Sequence, residues 1–98
     1  MKGSIIVYQT SNLSRHKATK FSRELHGYKD RSNKGRYVYH RPGLLDEIPS
    51  RELIRGAVII KRRDLDKVLE FMKSYDAKVY ARTVELTARD EEILKSKE

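Results

Sequence analysis

Between Ala57 and Leu86 the hydrophobic period of the chain changes twice. AVIIK (57–61) is a short unbroken apolar run, DLDKVLEFMKSYDA (64–77) repeats apolar residues every three to four positions, and KVYARTVEL (78–86) alternates. These patterns predict a buried strand, an amphipathic helix and a half-buried strand. On the helix, Leu65, Val68, Leu69, Phe71, Met72 and Tyr75 fill one apolar arc, while Asp66, Lys67, Glu70 and Lys73 face water. Asp64 is the expected N-cap. A helix with so wide an apolar arc has to lie against a sheet, which fixes a layered α+β arrangement.

The first half repeats the theme. SIIVYQT (4–10) reads as a strand with Ile5 and Val7 on one face and Ile6 and Tyr8 on the other. A helix of about fourteen residues follows, capped by Ser11 or Asn12 and stopped at Gly27. Ala18, Phe21 and Leu25 form its core stripe, with Leu13 at the margin, and Arg15, His16, Thr19, Lys20, Arg23 and His26 form the opposite face. RYVYHR (36–41) alternates and ends at Pro42-Gly43, as a strand does. LLDEIPSRELIR is expected to be a loop with one helical turn, capped by Ser50 after Pro49, and 28–36 a mobile loop. Thr87 with Asp90 makes a capping box for a short C-terminal helix.

The resulting order, βαββαβ, is ferredoxin-like: a four-stranded antiparallel sheet with two helices on one face and a short helix at the C-terminus. The first and third strands take the centre, and the other sheet face stays open. At 98 residues the chain suits a single domain, 1–98. It has no cysteine, which excludes disulfides and Cys-ligated zinc and fits a reducing cytoplasm. No apolar run approaches the roughly 20 residues that span a bilayer, and the N-terminus lacks a secretory signal, so no membrane partner is expected.

Charge is distributed unevenly. Residues 1–41 carry ten lysines and arginines against Glu24 and Asp30, whereas 42–98 carry twelve bases and twelve acids, so the first part holds the entire net charge of +8. An asymmetry of this kind is the footprint of a polyanion. Its densest part is HGYKDRSNKGRYVYHRPG (26–43), where Lys29, Arg31, Lys34, Arg36 and Arg41 are interleaved with three tyrosines. The expected nucleic-acid-binding residues are Arg15, Lys20 and Arg23 on the helix and Lys29, Arg31, Lys34, Arg36, Tyr37, Tyr39 and Arg41 in this stretch. Gly35 and Asn33 permit a tight backbone whose amides face phosphate. If Tyr8, Tyr37, Tyr39 and Tyr80, with Arg82, share the open sheet face, their rings can stack on unpaired bases.

Two fragments carry a resemblance. VYQTSNL (7–13) resembles the first-strand signature of RNA-recognition motifs, an apolar-aromatic pair followed by Asn-Leu, with one extra residue. KGRYVYH (34–40) resembles a shortened form of that family's basic-Gly-aromatic signature, which in the family lies on the third strand; here that strand is AVIIK and has no aromatic residue. The ferredoxin-like order and short length are also similar to the small CRISPR-associated second protein, whose first strand ends in a metal-binding acid. Gln9 follows Tyr8 here, so the resemblance implies no metal.

His16, His26 and His40 raise a third possibility, metal-independent phosphodiester cleavage by an acid–base pair of imidazoles. Nothing in the sequence fixes their geometry. There is no phosphate-cradling glycine motif, no nucleophile elbow and no metal-ligand pair at a telling spacing, so no catalytic residue, metal or cofactor is assigned. The expectation is a small nucleic-acid-binding protein, RNA preferred over DNA because no recognition helix suits the major groove, with structured or single-stranded rRNA or tRNA as ligand. The alternative is an assembly subunit that dimerises through the open sheet face.

Overall fold

The computed structural model describes residues 1–32 and 35–97, and of Ser32 the backbone alone. Strand β1, Lys2–Gln9, places Ile6 and Tyr8 on one face and Ile5 and Val7 on the other, as alternation requires. Helix α1, Arg15–His26, follows. Its N-cap is Ser14, whose hydroxyl accepts from Lys17 N at 3.2 Å, and not Ser11 or Asn12. Asn12 instead donates its side-chain amide to the Asp76 carbonyl, which spends its capping group elsewhere. At the other end Gly27 takes a φ of +81°, open to glycine at little cost.

The first part of the stretch expected to be a loop, 28–32, is a strand, and Gly35 and Arg36 form a turn. β2, Tyr28–Ser32, pairs antiparallel with β3, Tyr37–Arg41, in a separate two-stranded ribbon. The expected second sheet strand therefore lies outside the main sheet. Its place is taken by β4, Ser50–Ile54, in the segment expected to hold a helical turn capped by Ser50; the one-turn helix lies earlier, as α2, Leu44–Glu47. The Arg55-Gly56 turn leads from β4 to β5, Ala57–Ile60. A 3-10 turn, Arg62–Asp64, precedes α3, Leu65–Ser74; Asp64 is its N-cap residue, but its side chain makes no cap hydrogen bond. Strand β6, Lys78–Glu85, and helix α4, Ala88–Ser96, complete the chain.

The main sheet is antiparallel in the order β4-β5-β1-β6, with the first strand and the apolar AVII strand inside. The molecule is thus an α+β domain built on a four-stranded antiparallel sheet. Helices α1 and α3 lie on one face of it: Phe21, Leu25, Val68 and Met72 pack with Ile6, Val58 and Ile60, all at most 2% exposed. Removing these side chains from water supplies most of the stability, at about 25 cal/mol per Å² of apolar area. Tyr8 also belongs to this core, against the ring of Phe21, and so is absent from the second face.

The second face is not wholly open. Helix α4 covers one end of it, where Leu94 and Leu86 pack on Ile59, Ile5 and Val84. The Thr87 hydroxyl accepts from Asp90 N at 3.0 Å while Asp90 Oδ2 accepts from Thr87 N at 3.0 Å, the capping box read in the sequence. Arg51 Nη1 on β4 donates to Asp90 Oδ1 at 2.6 Å, which ties the helix to the sheet. Among the described residues no helix is long and apolar enough to cross a membrane.

Candidate nucleic-acid interface

The β2-β3 ribbon is unlike the rest of the molecule in exposing every residue of one of its strands. Its register opposes Tyr28 to Arg41 and Asp30 to Tyr39 on one face, which Tyr37 shares, and Lys29 to His40 and Arg31 to Val38 on the other; the backbone of Ser32 pairs with that of Tyr37. Alternation therefore separates the tyrosines from most of the cations. One face holds Tyr28, Tyr37 and Tyr39 with Asp30 and Arg41. The other holds Lys29, Arg31 and His40 around Val38.

Tyr37 and Tyr39 are 51% and 52% exposed, and their rings stack at 6.5 Å between centroids with a 27° tilt. Two neighbouring aromatic rings left half in water are an available contact surface. Arg41 donates from Nε and Nη2 to Asp30 Oδ2 at 3.3 and 3.2 Å, so this cation is already balanced. The pair links the two strands of the ribbon side chain to side chain. For Lys29, Arg31 and Arg36 the structure shows no carboxylate partner among the described residues. Lys34, also expected to contact nucleic acid, lies outside the described residues, as does Asn33.

At the root of the ribbon the Arg23 guanidinium lies 5.1 Å from the centroid of the Tyr28 ring, a cation–π contact that joins α1 to β2. A groove of about 490 Å³ opens beside it, lined among others by Arg15, Thr19, Ser22, Arg23, Tyr28 and Arg55. A second groove, bounded by Tyr8, Gln9, Thr10 and Ser11, adjoins it and shares Thr10 and Arg55. A third, along Arg41, Pro42 and Leu44, shares Arg23 and Tyr28. Arg15, Arg23 and Arg55 thus surround one concave surface, and none of the three has an ion-pair partner among the described residues.

Two expected members of the basic helix face are placed differently. At 3.6 residues per turn Lys20 lies roughly 140° around α1 from Arg15, and it lines none of these grooves. His26 turns toward the sheet edge, where its Nε2 and the Tyr8 hydroxyl share a hydrogen bond of 3.3 Å and its Nδ1 lies 3.8 Å from Glu52. Burial, with the Glu52 charge second, pushes the Tyr8 hydroxyl up to about 12, so it stays protonated. Lys17 is spent on Asp76 at 3.2 Å.

Arg55 was not singled out in the sequence. Read as a residue before a strand that opens at Gly56, it had no reason to approach α1. The signal that places it is Gly56, whose φ of +96° marks the second residue of a hairpin turn and not the start of a strand. The turn brings Arg55 back over the end of β1.

The histidines do not assemble. His16 is in the first turn of α1 and His26 is its last residue, ten positions and about 15 Å of helix away, while His40 is on the cationic face of the ribbon. Among the described residues no three His, Asp or Glu side chains gather to hold a metal ion. Chemically the arrangement offers cations, hydroxyls and π-faces: it can bind phosphate and stack on planar groups. No protein-family model matches the sequence, and no curated protein or solved structure does.

Proposed function

We propose that this protein binds nucleic acid, RNA in preference to DNA, through the β2-β3 ribbon and the adjoining face of α1. The observation that carries the reading is the ribbon itself: half-exposed Tyr37 and Tyr39 on one face, Lys29 and Arg31 with no ion-pair partner among the described residues on the other, continuous through Tyr28 with the arginine-lined groove. Cations that meet phosphates release condensed counterions and supply affinity without reading sequence. A solvated basic surface needs no groove and no exposed rings. RNA is favoured because exposed rings suit unpaired bases.

The scaffold fits this use. With the ribbon and α2 set aside, the four sheet strands follow the split βαβ order, and we read the domain as ferredoxin-like with the ribbon inserted after α1. The test is retention of labelled RNA and of DNA of the same sequence over a range of salt. Retention at low salt that falls steeply as salt rises, with RNA held more tightly, supports the reading; no retention at low salt sinks it.

A second reading rests on a different observation. Ile54, Ala57, Val7 and Tyr80 lie in register across the uncovered part of the second sheet face, and Ile54 and Tyr80 are 71% and 64% exposed. We propose this row, and not Tyr37 and Tyr39, as the contact if the chain self-associates. Sedimentation at high salt tests it: a dimer that Tyr80→Asp dissociates favours the reading, and a monomer at all concentrations removes it.

A further inference from the structure

We infer that the ligand is an unpaired strand, with bases stacked on Tyr37 and Tyr39 and the backbone passing Tyr28 into the groove that Arg55 closes. This rests on the nucleic-acid reading above and narrows it to one substrate class. Three observations converge.

First, the two rings are parallel to within 27°, and their centroid spacing of 6.5 Å is near the far end of the 4.5–7 Å range for touching rings. About half of each residue's surface stays exposed, which leaves ring area for a further planar group. A duplex hides the faces of its bases, whereas an unpaired strand offers them, so this surface suits single strands.

Second, the groove has the dimensions of a small-molecule site, about 490 Å³ within the usual range of roughly 300–1,000 Å³. A single phosphodiester chain fits such a space, and a double helix is too wide to enter it. Thr10 and Ser22 line the same groove with hydroxyls that can donate to phosphate oxygens, while the Thr19 hydroxyl, which donates to Arg15 O at 2.9 Å, keeps lone pairs that can accept from a ribose 2′-hydroxyl.

Third, the two parts are continuous. Tyr28 lies on the same ribbon face as Tyr37 and Tyr39 and also lines the groove, and Arg23 lies against its ring. A strand whose bases lie on the ribbon is therefore led by its backbone toward Arg23, Arg15 and Arg55.

The experiment is fluorescence anisotropy with labelled oligouridine of about twelve nucleotides and with an RNA duplex of the same length, at two salt concentrations. The proteins are the wild type, Tyr37→Leu/Tyr39→Leu and Arg55→Ala. All three positions are exposed, and circular dichroism verifies that each variant keeps the wild-type fold. Expected are tighter binding of oligouridine than of duplex, and a loss of about fivefold or more for oligouridine in the double tyrosine variant with duplex binding unchanged. Arg55→Ala is expected to weaken oligouridine binding and lower its salt slope by about one. Duplex bound as tightly as oligouridine, or a tyrosine variant that binds oligouridine like the wild type, overturns the inference and leaves nucleic-acid binding standing. Failure to bind either probe at low salt overturns both.

Discussion

Gly27 and Gly43 meet backbone to backbone at the root of the ribbon: a Cβ on Gly43 would overlap Gly27 N and Leu25 O. A Cβ on Gly27 would lie 2.6 Å from Arg41 O. The chain thus enters and leaves the ribbon through one tight crossing, which fixes where the ribbon departs from α1. Neighbouring backbone cannot give way as a flexible side chain can. Gly43→Ala is expected to cost about 3 kcal/mol, lowering Tm by roughly 10–20 °C. Gly35 has nothing within 4 Å of its would-be Cβ, only a φ of +82°, so Gly35→Ala should cost about 1 kcal/mol. Thermal denaturation of the two variants checks the contrast.

Asp90 joins α4 to the sheet. Hydrogen bonds from Thr87, its backbone amide foremost, and the Arg51 guanidinium hold its carboxyl below the usual carboxylate range. A lowered folded value means that its stabilisation is complete above about pH 4 and is lost as the pH falls through the folded value. Asp90→Ala should destabilise the protein by about 2 kcal/mol at neutral pH, with a smaller difference from wild type in strong acid. Urea unfolding at neutral and acid pH measures both.

Tyr8 and Tyr75 respond at the opposite end of the scale. Burial raises both hydroxyls to about 12, aided by the Glu52 charge for Tyr8 and by the hydrogen bond to Glu24 for Tyr75. The neutral form is the one the fold prefers, so the stabilisation is present below the unfolded value of about 10 and disappears as the pH rises toward 12. Stability should therefore decline between pH 10 and 12. The decline should be shallower in Tyr8→Phe, as followed by unfolding curves and tyrosinate absorbance.

The arginines of α1 should not be equivalent to its lysines. Arg15→Glu/Arg23→Glu reverses two charges in the groove and is expected to reduce RNA affinity by about 100-fold or more at low salt and to flatten the salt slope by about two. Lys20→Glu, on the other flank of the helix, should have a much smaller effect. Binding measured at several salt concentrations separates them; equal losses from both would contradict the placement of the groove.

Segments whose period matched one element were legible in the sequence: β1, β5, α3 and β6, and the Thr87–Asp90 capping box. What could not be read were pairings made at a distance. Tyr37–Arg41 alternates as a sheet strand does, yet it pairs with the polar Tyr28–Ser32, whose sequence YKDRS has no apolar face to declare itself. Ser50–Ile54 was hidden for the converse reason: it follows Pro49 and carries a register shift between Glu52 and Ile54, so its alternation is broken. The uneven charge pointed to the basic region, and alternation placed Tyr37 and Tyr39 on one face. Arg55 needed the turn at Gly56, and the loss of Arg41 to Asp30 needed the register of the ribbon, neither of which is a local property.

The central claim is that RNA meets the protein on the ribbon and the arginine groove. Amide chemical-shift mapping during titration with oligouridine tests it residue by residue. The account predicts shifts concentrated at 28–32, 37–41, Arg15, Arg23 and Arg55, with Val7, Ile54 and Tyr80 unmoved. Shifts confined to the Val7, Ile54 and Tyr80 face, or none at low salt, would contradict it.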